Sequence, residues 1–83
     1  MLVINKAKIL EIISNITGST IENLDENSGM DNIEGWDSFA VINLVVAIEE
    51  VTGIDIDPEE VENFTNFKGI LSVLDTKGIK VVE

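Results

Sequence analysis

The chain has 83 residues and carries 16 carboxylates against 5 lysines, for a formal net charge of −11. That length supports one small domain over 1–83 with a single core, and no stretch approaches the ~20 consecutive apolar residues of a membrane span or the apolar run of a signal peptide. No Arg is present and the lysines (Lys6, Lys8, Lys68, Lys77, Lys80) lie near the ends. Nucleic-acid binding through neutralised phosphates is thereby excluded, and basic protein surfaces are the natural partners of the acidic middle, Ile9 to Phe67.

A first helix is predicted near Val3–Thr17. Asn5 or a residue before it can open that helix, Ile9, Ile12, Ile13 and Ile16 recur at helical spacing, and Gly18 can close it. From Gly18 to Asp37 the pattern breaks into Gly, Ser, Asn, Asp and Glu, with Ile21, Leu24, Met30, Ile33 and Trp36 as scattered apolar pins. So long an irregular segment signals either function or disorder. The pins argue against disorder, and one short helical turn can hide among them.

A second helix is expected from Ser38, with Asp37 as N-cap, to the residue before Gly53. Its composition is unusual, since after Ser38 only Asn43, Glu49, Glu50 and Thr52 are polar. The β-branched residues favour a strand, but the run is too long and lacks strict alternation. Val41, Leu44, Val45, Ile48 and Val51 share the side expected to meet the other helices. Phe39, Ile42 and Val46 form a neighbouring stripe at i, i+3 and i+7 that starts one residue after Ser38, with Asn43 alongside and Glu49 and Glu50 at its end. A wide helical stripe is by default wholly buried; the alternative is a docking face.

Asp57 is then expected to cap a short helix opened by Pro58, with Glu59 and Glu60 in the first turn and an end near Phe64. Thr65 can cap a last helix in which Phe67, Ile70, Leu71 and Leu74 form the apolar stripe and which stops at Gly78. The tail from Ile79 to Glu83 is expected to pack loosely. The chain shows no internal repeat or linker, and the expected architecture is all-α: a small four-helix bundle with a long first loop and a short third helix.

With no His and no Cys in the chain, Ser38 has no imidazole to activate it and no thiolate can take its place as nucleophile. What remains for it, in Gly35-Trp36-Asp37-Ser38-Phe39, is to cap a helix or to be modified. A phosphodiester there would meet free amides and the positive end of the helix dipole, worth roughly 0.3–1 kcal/mol at an exposed site. A serine beside an aspartate at a helix start is nonetheless far more often only a cap.

The weight for modification comes from agreement along the chain. Ser38 stands at the head of the apolar helix, and Glu49-Glu50, Gly53-Ile54-Asp55-Ile56 and Pro58-Glu59-Glu60 follow it. In these features, over about Val3 to Leu74, the chain resembles the acyl carrier proteins, whose Asp-Ser-Leu motif receives a 4′-phosphopantetheine arm on the serine hydroxyl. The resemblance implies a cytoplasmic, monomeric, non-enzymatic carrier with no metal site. Such a protein tethers acyl or aminoacyl intermediates as thioesters in fatty acid, polyketide or peptide-type biosynthesis. Ser38 is the implied attachment site and Asp37 its motif partner and helix cap, while Phe39, Ile42, Asn43, Val46, Glu49, Glu50 and Ile54 dock partners. Those partners are a phosphopantetheinyl transferase, which draws the arm from coenzyme A, and the acyl- or aminoacyl-activating, synthase and transferase enzymes with basic docking surfaces.

Phe39 stands where fatty-acid carriers usually show leucine, Ala40 and Asn43 where they are commonly acidic, and Thr52 where an aromatic is common. Trp36 before Asp37 is similar to carriers outside the main fatty-acid pathway, including D-alanyl carriers and stand-alone carriers of peptide or polyketide clusters. Two other readings compete. Asp55, Asp57 and Glu59 alternate like early calcium-loop ligands, but Glu60 occupies the required glycine position and Asn66 that of the bidentate glutamate. The second is an unmodified interaction module offering the same acidic, apolar helix to a partner groove.

Overall fold

The computed structural model describes residues 2–83. In chain order these form strand β1 (Leu2–Asn5), helix α1 (Lys6–Thr17), a 3-10 turn (Ile21–Asn23), helix α2 (Ser38–Thr52), an eight-residue 3-10 helix (Pro58–Thr65), helix α3 (Phe67–Thr76) and strand β2 (Ile79–Val82). The fold is mostly helical with a small two-stranded sheet, so the all-α expectation holds only approximately. Among the described residues no helix is long and apolar enough to cross a membrane.

Each helix contributes one apolar face to a common interior. Ile9, Ile12 and Ile13 come from α1, and Ala40, Val41, Leu44, Val45 and Ile48 from α2. Phe64 comes from the longer 3-10 helix, Phe67, Ile70, Val73 and Leu74 from α3, and Ile4, Leu24, Trp36 and Ile79 complete the cluster. α1 packs on α2, and the 3-10 helix lies against both α2 and α3. The bounds of α2 follow from local chemistry: the Ala40 amide donates to Asp37 Oδ1 at 2.9 Å, and Gly53 leaves the helix in the left-handed region at φ 75°.

Several sequence expectations are corrected. Val3 to Asn5 do not extend α1; they belong to β1, which pairs in parallel with β2 from Leu2 beside Ile79 to Asn5 beside Val82. The tail is therefore not loose: Ile79 is buried and its strand satisfies the backbone groups of β1. A parallel pair needs a long crossover, which here is the whole helical body, so nothing local announces it. α3 is capped by Asn66, whose side chain accepts from Gly69 N–H, rather than by Thr65, which ends the 3-10 helix and donates its hydroxyl to Glu62 O. It stops at Thr76, short of Gly78, and Leu71 on its stripe is only half-buried. Val51 is exposed instead of joining the core. Two of the five loop pins, Ile21 and Met30, also stay in water.

Candidate functional site

The segment leading to Ser38 is irregular in outline but tightly tied. Leu24 and Trp36 reach the core and Ile33 packs against it. Ser28 is buried, with its Oγ accepting from Asp25 N–H at 2.9 Å; Asn32 Oδ1 accepts from Gly29 N–H and its Nδ2 donates to Asn27 O, both at 2.9 Å. Such side-chain turns satisfy a backbone that has no helix or sheet to satisfy it. Three further bonds join this loop to the junction between the 3-10 helix and α3. Met30 N–H donates to Thr65 O (2.8 Å), Phe67 N–H to Ser28 O (2.9 Å), and the Trp36 indole Nε1–H to Phe64 O (3.0 Å). Gly35 seals the other side, since a Cβ there would lie 1.8 Å from Thr17 O at the end of α1.

Out of this anchored approach Ser38 emerges exposed, as the first residue of a 15-residue helix. Asp37 is committed to the cap, an arrangement worth about 1 kcal/mol of helix stability, and the amides of Ser38 and Phe39 belong to the set that no α-helix can pair internally. The outer face of α2 next to Ser38 is apolar and solvated: Phe39 is 81% exposed, Ile42 58% and Val46 46%. Asn43 and Glu50 are exposed on the same helix, and no charged side chain occurs between Asp37 and Glu49.

Glu49 and Ile54 lie somewhat apart from that group. Glu49 is half-buried, and its Oε2 accepts from Ile56 N–H at 2.9 Å, bracing the connection between α2 and the 3-10 helix. Ile54, on that connection, is half-buried against the core. Of the residues expected to dock partners, then, Phe39, Ile42, Asn43, Val46 and Glu50 come together on the exposed side of α2, while one Glu49 oxygen is taken by Ile56 N–H and Ile54 packs against the core beyond Gly53.

Two features of this region escape sequence reasoning. The Trp36 indole bond spans 28 positions and has no local signature. Lys77, at the end of α3, lies 2.9 Å from Glu60 Oε1 and 3.3 Å from Asp57 Oδ2, while Glu60 Oε1 also accepts from Asp57 N–H. The Lys77 ammonium holds the Glu60 carboxyl below the usual carboxylate value, and the Glu60 carboxylate in turn holds Lys77 above the usual lysine value. Asp57 and Glu60, which on sequence grounds stood in or beside a calcium-like alternation, thus stitch the start of the 3-10 helix to α3. The sequence signal was weak, since Lys77 is one of three lysines beyond the acidic run.

An exposed serine at a capped helix start thus stands beside an exposed apolar stripe, in a chain without His or Cys. The family model for the phosphopantetheine attachment site matches residues 7–74, and the chain belongs to that family. It is a phosphopantetheine-carrying protein, and its covalent group is 4′-phosphopantetheine.

Proposed function

We propose that Ser38 Oγ bears the arm, as a phosphodiester, and that the chain carries acyl or aminoacyl groups between enzymes of a fatty acid, polyketide or peptide-type pathway. The observation that carries this is the position of Ser38: exposed, first in α2, with Asp37 already used as cap and the free amides of the first turn beside it. An anion is favoured there by the helix dipole, so the site fits the group. When bound, the group supplies a terminal thiol that this chain's own residues lack.

The protein's contribution is position. Ser38 fixes where the arm begins, and Phe39, Ile42 and Val46, with Asn43 alongside, give each enzyme the same uncharged surface to seat on. Glu50 and the free oxygen of Glu49 meet basic residues at its far end. Tethering then replaces a bimolecular encounter by a local one at high effective concentration. The net charge of −11 speeds approach to basic enzymes, while the uncharged stripe supplies contact area that does not depend on salt. Trp36 supports a pathway outside the main fatty-acid one, such as aminoacyl transfer, and a cytoplasmic monomer suits a protein that must visit several enzymes in turn.

The test is intact mass after incubation with coenzyme A and a broad-specificity phosphopantetheinyl transferase, run beside Ser38→Ala. One pantetheinyl addition to the parent, absent from the variant, is the expected result. A folded parent that several transferases leave unmodified, or an addition that persists in Ser38→Ala, would overturn the assignment and leave Ser38 a helix-start residue of an unmodified docking module.

A further inference from the structure

We infer that Trp36 is a positioning residue for Ser38: its indole hydrogen bond to Phe64 O locks the start of α2 to the end of the 3-10 helix, so that an enzyme finds the serine hydroxyl at a fixed place. The inference rests on the assignment of Ser38 as attachment site.

The end of a helix leaves carbonyls without intrahelical partners, and a buried one must be satisfied from elsewhere. At the end of the 3-10 helix the partners come from the segment that delivers Ser38. Thr65 O is taken by Met30 N–H, and Phe64 O by the Trp36 indole. The amide of Phe67, two residues on, donates to Ser28 O. The loop thus caps the 3-10 helix, and the 3-10 helix holds the loop. Of these contacts, the one nearest to Ser38 is made by a side chain. Trp36 is 1% exposed, two residues before the serine, and its own amide donates to Ile33 O at 3.0 Å, so the ring and the backbone that carries it are both held.

An indole N–H at this depth could not simply be released, since an unpaired buried donor costs about 1–3 kcal/mol. The tether is therefore closed in most folded molecules, which couples movement of the 3-10 helix to movement of the helix start that presents Ser38. Gly35 makes the constraint two-sided, because its contact with Thr17 O leaves the loop no space to swing toward α1. A large aromatic merely filling the core would need no such partner; phenylalanine would serve.

Trp36→Phe keeps most of the buried ring and removes the bond, and Ile13→Val, a core change in α1, serves as a control of modest stability cost. Two measurements are made on the folded proteins. The first is amide hydrogen exchange at Ala40 and Val41, which bond to Asp37, and at Met30 and Phe67 across the junction. In Trp36→Phe both groups are expected to exchange faster together, by roughly tenfold beyond any change in global stability, with no such linked change in Ile13→Val. The second is steady-state transfer from coenzyme A with the carrier concentration varied. Trp36→Phe should lower kcat roughly tenfold with KM within about twofold of the parent, because docking on α2 survives while the hydroxyl is misplaced. Unchanged exchange at Ala40 and Val41, or a parental kcat, would overturn the inference and reduce Trp36 to core filling. If the parent itself is not modified, the reading of Ser38 fails, and the exchange measurement still decides whether the tether exists.

Discussion

Phe39 leaves 81% of its surface in water one residue after Ser38, where a large aromatic gains nothing for the fold. Alanine has the better helix propensity, so Phe39→Ala should leave the urea unfolding midpoint unchanged or slightly raised. In the docking role proposed for it, however, its removal should raise KM for the transferase roughly tenfold or more, the equivalent of losing about 1.4 kcal/mol or more of binding. That outcome contrasts with the one expected for Trp36→Phe, in which KM holds and kcat falls. A fall in stability without a change in KM would assign Phe39 to packing. Residue chemistry at this scale was legible where it is local: the Asp37 cap and the left-handed Gly53 follow from neighbours in sequence. The Trp36 bond to Phe64 O was not, because a side-chain donor 28 positions away leaves no trace in periodicity.

Among the elements, α1 and α2 were readable from spacing and punctuation, since a twelve- or fifteen-residue run gives the helical period room to show. The junction before α3 was ambiguous because Thr65 and Asn66 are both cap formers, and only the geometry chooses Asn66. The short third helix proved to be 3-10 in form, and it relies on outside partners: Lys77 at its start and the Ser38 loop at its end. The Lys77 contacts carry a pH dependence with a defined sign. Glu60, whose folded value is depressed, contributes stability that is present above the ordinary carboxylate range and lost as pH falls through its folded value. Lys77, whose folded value is raised, contributes stability that is present below the ordinary lysine value and lost as pH rises through its folded one. Comparing urea midpoints of the parent and Lys77→Met from neutral to acid pH should therefore show a gap that closes as the Glu60 carboxyl protonates. A gap constant down to the most acidic folded condition would mean that Lys77 acts through its aliphatic stem alone.

On the scale of the whole molecule, the helical core around Ile9, Leu44 and Ile70 was foreseeable from the apolar stripes of the first, second and last helices, whereas the burial of Phe64 and the sheet were not. Leu2 to Asn5 and Ile79 to Val82 are four-residue runs, too short to show alternation, and their pairing joins the two ends of the described chain. Ile79 measures what that closure is worth. It is 3% exposed, so Ile79→Ala should cost about 2–5 kcal/mol in urea unfolding, whereas a loosely packed tail would make the change neutral. The acidic surface was plain from composition. Its division into an uncharged stripe beside Ser38 and carboxylates beyond it needed the exposures of Phe39, Ile42 and Val46.

The same small sheet gives the molecule a mechanical character. Because β1 and β2 run in the same direction, the chain enters the pair at Leu2 and leaves it at Val82, at opposite ends of the ladder. A pull applied between those two points acts along the strands, so the inter-strand bonds resist it together instead of peeling apart one at a time. Tension on the ends is met first by this clasp, before it reaches the helices that hold Ser38 in place.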